Sequence, residues 1–555
     1  MVAICANLKY VANYSVWLNS HGRESLLCCL ARQAQDGGSR HALNRAGSSF
    51  FKIIARRGMR HVRTLPFRSN LMLVTSLKQL TTRDRFAPQC GRPARVGLGV
   101  IAGALLSAGY ALHPQWWAPW LAPVPLLLAA SGSRRCARLA GGVAGAIAVT
   151  CLLPYYLDLI GWPMTLLAVL LRVGSWIFAT SLAEAAARRL PLAMAALVLP
   201  VTIAAIELLT LVVSPHGAAG SLAYSQMEAV GVVQVAALGG VPAVVFLILL
   251  PGSLAGHWLA GNWGRSDRLA ALVLVGLLAL ATTLFSVIRL GAEPADSTVP
   301  VTLIATNHFD GIPEGWEGVW DRYQPAVIAS ASRGGLVVLP EKLALLDSEG
   351  AGRAAQDVAQ TAQATGAVVV AGAEVRERGT YYNRALLAAP DGRVVWYDKQ
   401  RLVPGWEDRI SPGNAPVFVD IAGTRLGIAI CKDMHIPEIG RQYTGGATLM
   451  VVPAYDFGLD AWMGARMTAL RAVENGYAVA RSARNGFVSA YDREGRILVE
   501  RLVTSDITVA TASLSPHGAV TFYGRSGDVF GWCCACLTVL LWIWLGRGSR
   551  DRVGR

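Results

Sequence analysis

A series of long apolar segments occupies residues 96–292 and constrains the fold of this chain more than any other feature. Most of these segments approach the roughly 20 residues that an α-helix needs to cross a bilayer. An eighth segment of the same kind lies near the C-terminus. The predicted spans are Val96–Leu112, Trp116–Ala130, Leu139–Ile160, Met164–Ala185, Leu192–Val213, Val230–Leu254, Leu269–Leu290 and Phe530–Leu545. The sequence therefore predicts a polytopic α-helical membrane bundle of about eight spans.

Arginine clusters follow every second predicted span and indicate the topology. They are Arg134, Arg135 and Arg138; Arg188 and Arg189; Arg265 and Arg268; and Arg547, Arg550, Arg552 and Arg555. Because cytoplasmic loops carry the excess of Lys and Arg, residues 291–529 are expected on the outer, periplasmic face of a bacterial inner membrane. The net charge of +15 comes mostly from these loops and from the Arg-rich start of the chain. We therefore expect membrane lipid, and no nucleic acid, as a partner.

Residues 297–515 have the pattern of a water-soluble α/β domain. Short β-branched runs such as Val299–Ala305 and Leu426–Ile430 alternate with amphipathic stretches such as Trp462–Asn475. Asp391-Gly392 predicts a hairpin turn between two further strands. This alternation predicts a layered α/β sandwich with paired sheets.

The predicted domain order has four parts: a basic N-terminal extension over residues 1–95, a bundle of about seven spans over 96–292, a catalytic domain over 297–515 and a C-terminal span over 529–546. The extension is interpreted either as partly disordered or as the product of a start codon upstream of the real one, at Met59 or Met72. Glu207 lies inside the fifth predicted span, where a carboxylate is costly unless it faces protein or a cavity. Two interpretations stay open: Glu207 has a functional or packing role inside the protein, or its carboxylate simply reaches the lipid headgroups.

Three segments of the soluble domain place a reactive side chain at or near the end of a predicted strand. Glu341 follows the apolar run Val337–Leu339, Lys399 follows Trp396–Asp398, and Cys431 directly follows Leu426–Ile430. Side chains at strand ends reach the crevice above an α/β sheet, where sites are usually built. Cys431 is the only cysteine between 297 and 515, so no disulfide can form within this domain.

These three residue types together suit acyl transfer through a covalent intermediate. A thiol with a pKa of about 8.5 is mostly protonated at neutral pH. A carboxylate can take its proton, and an ammonium can stabilise the thiolate and the oxyanion that forms next. Glu341 is therefore the candidate base, Lys399 the stabiliser and Cys431 the nucleophile. Each residue alone is more often structural, and a buried apolar filler is the simplest alternative for the cysteine.

The order and local sequences of the three segments resemble the nitrilase superfamily, which uses a Glu-Lys-Cys triad. The resemblance narrows when the bundle is included, because eight spans with a nitrilase domain between the last two resemble the apolipoprotein N-acyltransferases. The sequence similarity covers roughly residues 96–546. It includes Leu222-Ala223-Tyr224-Ser225-Gln226, Tyr397-Asp398-Lys399, Arg471-Ala472-Val473-Glu474-Asn475-Gly476 and Thr521-Phe522-Tyr523-Gly524.

This resemblance implies a two-step reaction in lipoprotein maturation. Cys431 takes an acyl chain from a membrane phospholipid as a thioester. The N-terminal amine of the diacylglyceryl-cysteine of a lipoprotein then accepts that chain. Glu407 and Asp433 match acidic family positions and are expected to support the site or bind substrate. No metal-ligand spacing or phosphate loop is found, so no cofactor is expected.

Two departures from the family pattern bear on the substrate. The nucleophile is followed by Lys432-Asp433 where an aromatic residue and Glu are usual, and Tyr455-Asp456-Phe457 replaces part of a different aromatic stretch. The acceptor could therefore differ from a standard lipoprotein. One alternative is a membrane-tethered amidase or nitrilase, in which water resolves the thioester. Another is a catalytically silent scaffold that binds lipoproteins without modifying them.

Overall fold

The computed structural model describes residues 91–291 and 297–550, with side chains up to Gly546. The predicted extension over residues 1–95 therefore lies outside the described residues, apart from 91–95. Within the described ranges, six helices are long and apolar enough to cross a membrane. They are Arg92–Tyr110, Arg134–Ala187, Leu192–Val213, Ala236–Ala260, Arg265–Leu290 and Val529–Gly546.

The helical segment Arg134–Ala187 contains two of the predicted spans. It consists of a helix Arg134–Ala148, a 3-10 turn Thr150–Leu152 and a helix Leu153–Ala187 that is kinked at Gly161. A Cβ added at Gly141 would lie 2.5 Å from the Trp176 carbonyl oxygen, and one at Gly145 would lie 2.9 Å from Val173 Cα. Because the later glycine meets the earlier partner, the two helices pack antiparallel at a small-residue contact typical of membrane helices.

The predicted second span falls on two short helices, Ala118–Leu121 and Pro123–Ala130. The whole segment Ala118–Ala130 would extend only about 20 Å as a helix, less than the roughly 30 Å apolar core of a bilayer. Two short helices, Val230–Val233 and the 3-10 turn Leu222–Gln226, lie before Ala236–Ala260. The bundle is thus helical and polytopic, but the count of about eight spans is not confirmed by helix length.

The soluble domain is a sandwich of two mixed β-sheets. The strands are β1 Val299–Ala305, β2 Leu336–Val338, β3 Leu345–Asp347, β4 Val368–Glu377, β5 Thr380–Ala388, β6 Val394–Asp398, β7 Val417–Ile421, β8 Thr424–Ile428, β9 Leu449–Tyr455, β10 Ala478–Arg484, β11 Phe487–Tyr491, β12 Ile497–Leu502 and β13 Thr508–Leu514. The first sheet has the order β13-β1-β2-β4-β5-β6, with β3 paired to β4, and the second has the order β12-β11-β10-β9-β8-β7. The predicted hairpin turn is confirmed, since Gly392 (φ +88°) joins antiparallel β5 and β6.

Helices cover both outer faces of the sandwich, which gives the expected layered α/β architecture. Helices Glu317–Ser330 and Ser348–Thr365 pack on the first sheet, and Ala461–Asn475 packs on the second. A core of strand residues from both sheets, including Val301, Val370 and Val451, fills the space between them. Shorter helices at Pro437–Gln442 and Phe522–Ser526 complete the domain.

The sandwich and the bundle share a continuous apolar core. Every residue of helix Ala461–Asn475 is buried, and this helix contacts the membrane helix Ala236–Ala260. Buried Val479 of β10 and Ile248 of that membrane helix belong to the same cluster. The second sheet, which carries the strand β8 before Cys431, is therefore fixed directly to the membrane part of the chain.

Candidate active site

The three predicted catalytic side chains come from segments that follow three different strands. Glu341 lies three residues beyond β2, Lys399 directly follows β6, and Cys431 begins a 3-10 turn, Cys431–His435, just past β8. Both sheets contribute, because β2 and β6 belong to the first sheet and β8 to the second. All three side chains are buried, with Lys399 only 1% exposed. Burial of a lysine to this degree requires a partner of opposite charge.

Lys399 has two such partners. Its Nζ lies 2.8 Å from Glu341 Oε1 and 3.0 Å from Glu407 Oε2. Burial disfavours the charged ammonium, but the two carboxylates outweigh this and raise the pKa of Lys399. The lysine is therefore a fixed positive charge at neutral pH.

Asn383 links the same two carboxylates through hydrogen bonds. Its Nδ2 donates to Glu341 Oε1 at 2.6 Å and to Glu407 Oε1 at 2.8 Å. Glu341 Oε1 thus accepts from both Asn383 and Lys399, whereas its other oxygen, Oε2, is buried and has no hydrogen-bond partner. The protein therefore holds one oxygen of this carboxylate and leaves the other without a hydrogen-bond partner.

Cys431 has a backbone conformation that a side-chain-bearing residue rarely adopts, with φ +42°. Such local strain is found where the surrounding structure fixes a functional residue. Its Sγ lies 3.7 Å from the Tyr455 carbonyl oxygen, and the preceding carbonyl, that of Ala454, accepts the Glu341 N–H. The end of β9 therefore contacts the cysteine and the glutamate through adjacent residues.

The electrostatics of Cys431 favour the protonated thiol at rest. Burial is the largest cause that raises the pKa of this thiol, the Glu341 charge raises it further, and Lys399 opposes both. Because thiolate is the competent nucleophile, nucleophilic attack by this thiol would require a base. The structure thus brings the charges of Glu341 and Lys399 to bear on one thiol.

Glu407 forms an ion pair with a second lysine in addition to Lys399. Lys342 Nζ lies 2.6 Å from Glu407 Oε1 and 3.9 Å from Glu374 Oε2. Burial opposes ionisation of Glu407, but Lys399 and Lys342 prevail and lower its pKa to about 2. Glu407 also accepts the Val403 N–H and so closes the loop that follows Lys399. Its position fits a supporting role and not substrate contact.

Asp433 fixes the start of the 3-10 turn Cys431–His435. Its carboxylate accepts the N–H groups of Ile430, Gln400 and Arg401, at 2.9, 3.1 and 2.8 Å, and the Tyr397 hydroxyl at 2.7 Å. Burial raises its pKa to about 6, against the effect of these donors. The side chain ties the segment before Cys431 to the segment after Lys399. Its 0% exposure leaves no surface for substrate.

The departures from the family pattern occupy the wall and rim of the site. Lys432 Nζ donates to the Leu402 carbonyl at 2.8 Å, and Asp456 pairs with Arg481 at 2.5 Å. The Phe457 ring packs edge-on against Trp406, and the two are 39% and 59% exposed. Trp406 Nε1 also donates to the Leu159 carbonyl of the kinked membrane helix. The rim is thus apolar, aromatic and attached to the bundle.

Sequence reasoning missed Asn383 and Lys342. Both are ordinary polar residues within or beside apolar runs. The pairing of β5 with β6 brings Asn383 to the carboxylates of Glu341 and Glu407, and the turn after β2 brings Lys342 to that of Glu407. Lys342 has φ +51°, which the sequence gives no reason to expect. Among the described residues, no group of three or more His, Cys, Asp or Glu side chains is arranged to hold a metal ion.

Comparison with known proteins gives two family matches along the chain. Residues 311–526 match the carbon-nitrogen hydrolase family, and residues 102–254 match the N-terminal domain of apolipoprotein N-acyltransferase. An apolipoprotein N-acyltransferase of Geobacter metallireducens is 27% identical over 57% of this chain and 67% of its own length. One of Gloeobacter violaceus is also 27% identical, over 82% of this chain and 96% of its own. The crystal structure of an amidase from Nesterenkonia sp. is 20% identical, covering 42% of this chain and 96% of that one with a TM-score of 0.36.

Proposed function

From its membership of the apolipoprotein N-acyltransferase family, within the carbon-nitrogen hydrolase superfamily, we propose that this membrane enzyme transfers an acyl chain from a phospholipid to the N-terminal amine of a lipoprotein's diacylglyceryl-cysteine. Cys431 is the proposed acyl carrier, Glu341 the base and Lys399 the stabilising cation. We place the site at the periplasmic face of the bacterial inner membrane, as the arginine pattern of the loops indicates.

The first step acylates the enzyme. Cys431 Sγ attacks the ester carbonyl of the phospholipid while its proton passes to the unpartnered Oε2 of Glu341. The carbonyl oxygen of the ester becomes an oxyanion, whose charge the fixed ammonium of Lys399 stabilises. The carbon–oxygen bond then breaks, Glu341 returns the proton to the departing alkoxide, and a lysophospholipid leaves. The acyl chain remains as a thioester on Cys431.

The second step forms the amide. The neutral amine of the acceptor attacks the thioester carbonyl, and Glu341 takes the proton that the amine must lose. The carbon–sulfur bond breaks, and the sulfur regains a proton from Glu341. Both substrates are lipids, which fits a site whose rim carries exposed Trp406 and Phe457 beside a membrane helix.

One observation carries the proposal: a buried glutamate with one oxygen held by Lys399 and the other oxygen unpartnered, acting on the thiol of Cys431, in a domain packed on a lipid-facing bundle. The test uses purified full-length protein in detergent, with a phospholipid labelled in its acyl chain and a diacylated lipopeptide. Label in an amide of the lipopeptide supports transfer.

The same reaction mixture distinguishes the alternatives. Label released as free fatty acid in the presence of the lipopeptide would contradict transfer and favour a hydrolase. Absence of both products and of a thioester would indicate a binding scaffold. Cys431→Ala serves as the matched negative control, since alanine tolerates the same burial without a thiol and is expected to fold.

A further inference from the structure

We infer that the bundle loop over residues 214–222 holds in place the 3-10 turn Cys431–His435 (the nucleophile turn), and that the pair of half-buried Arg172 and buried Glu207 inside the bundle fixes that loop. This inference rests on the proposed role of Cys431 and assigns positioning roles to residues outside the catalytic domain.

The loop contacts the far end of the turn that Cys431 begins. The N–H of Ala218 donates to the carbonyl of His435 at 3.0 Å, and His435 is the last residue of the 3-10 turn Cys431–His435. Asp433 fixes the start of this turn through its carboxylate. The nucleophile is therefore held between one tie within its own domain and one from the bundle.

Gly217 makes this contact sterically specific. Its φ is +57°, and a Cβ added there would lie 2.5 Å from Ile436 Cδ1 and 2.6 Å from the His435 carbonyl oxygen. Separations below 3.0 Å cannot persist, so any larger residue must push the loop and the turn apart. The requirement for glycine is thus set by the approach of the two segments as well as by backbone conformation.

The other end of the loop is held inside the bundle. Arg172 Nη2 donates to the Gly220 carbonyl at 3.1 Å, while its Nη1 lies 4.0 Å from Glu207 Oε1. The guanidinium also stacks over the Tyr110 ring at 4.1 Å. Glu207 is 5% exposed, and Ser221 and Leu222 lie near its carboxylate. The carboxylate in the fifth predicted span therefore faces protein and makes this polar contact with the loop.

A small displacement of the turn has a large kinetic effect. Reacting atoms must approach within about 3–3.5 Å, and a misplacement of about 1 Å can cost about 10²-fold in rate. The Glu341–Lys399 pair lies on the other sheet and does not depend on the loop. Loss of the loop contact should therefore slow acylation of Cys431 at saturating phospholipid, with much less effect on KM.

The test compares Gly217→Ala with Gly423→Ala in purified full-length enzyme. Gly423 also has a positive φ, +82°, at the tip of the β7–β8 hairpin, but an added Cβ meets nothing within 4 Å. The control therefore shares the backbone strain without the collision. We expect Gly217→Ala to slow single-turnover thioester formation at least about tenfold and Gly423→Ala to stay within about twofold of wild type. Glu207→Ala should also slow it, and Glu207→Gln, which keeps a hydrogen-bonding side chain, should recover part of the rate.

The outcomes separate this inference from the proposed function. A wild-type enzyme that forms no thioester would refute the role of Cys431 itself. A working wild type with Gly217→Ala and Glu207→Ala both at the control's rate would overturn the positioning role alone. If Gly217→Ala does not fold, the comparison of Glu207→Ala with Glu207→Gln decides. A purely structural role of Glu207 would make the thermal midpoints of these two variants differ while their kcat/KM values stay equal.

Discussion

Replacing Glu341 by glutamine removes the proposed base while preserving most of its contacts. Lys399 and Asn383 both donate to Oε1, at 2.8 and 2.6 Å, and the glutamine carbonyl can accept both bonds. The amide nitrogen then occupies the position of Oε2, which has no partner to lose. Lys399 stays paired with Glu407 at 3.0 Å. We expect a stability cost of about 2 kcal/mol, the value of a hydrogen bond to a charged group.

The kinetic cost should be much larger. General-base catalysis contributes about 10²–10⁴-fold, so acylation in Glu341→Gln should slow by that factor, which corresponds to about 3–5 kcal/mol in the barrier. The residual reaction has to use the small thiolate population of Cys431. Because burial raises the pKa of this thiol, the variant's rate should rise about tenfold per pH unit between pH 7 and 9. The wild-type rate should change far less.

Rapid-quench measurement of thioester formation from labelled phospholipid, between pH 7 and 9, checks both expectations. Thermal unfolding in the same detergent provides the folding control. A Glu341→Gln enzyme that acylates at the wild-type rate, or that is slow but equally insensitive to pH, would refute the assignment of Glu341 as the base.

Three further substitutions test the network around the site. Lys399→Met leaves Glu341 without its cation and should abolish thioester formation and destabilise the protein by about 3–5 kcal/mol, seen as a large fall in thermal midpoint; retained acylation would contradict the role of Lys399. Glu407 has its pKa lowered from 4.5 to about 2, so its ionised form contributes roughly 3 kcal/mol above pH 4.5, lost as pH falls towards 2. Glu407→Gln should lower the thermal midpoint at pH 7 and flatten its decline below pH 4.5, and an unchanged acid decline would count against this. Asp433→Asn turns an amide group towards N–H donors and should slow acylation more than tenfold and cost about 2–3 kcal/mol; kinetics and melting equal to wild type would argue against a positioning role.

Much of the architecture follows from the sequence because its causes are local. The strands β1 and β9 are short β-branched or apolar runs, and the hairpin at Gly392 follows from Asp-Gly turn chemistry. By contrast, β12 has no fully buried residue, so it lacks the alternation of buried and exposed positions from which a strand is predicted. The turn between the predicted third and fourth spans lies at Thr150–Leu152, earlier than expected, because the kink at Gly161 interrupts an apolar stretch without reversing it.

The candidate site likewise has features that the sequence predicts and features that it does not. Glu341, Lys399 and Cys431 could be proposed because each ends or follows an apolar run that predicts a strand. The positive φ of Cys431 and the bridging amide of Asn383 could not, since both depend on how distant segments meet. The sequence does not settle the role of Glu207 for the same reason: its partners, Arg172 and the loop after the span, are fixed only by the packed bundle.

The central claim is that one thiol in the sandwich domain carries the acyl chain. Intact-protein mass spectrometry after incubation with a single phospholipid species, followed by peptide mapping, tests it most directly. We predict an added mass equal to one acyl group, located on Cys431, released by neutral hydroxylamine and lost on addition of a diacylated lipopeptide. An acyl group found on another residue, or one that persists on Cys431 when the acceptor is present, would contradict the account.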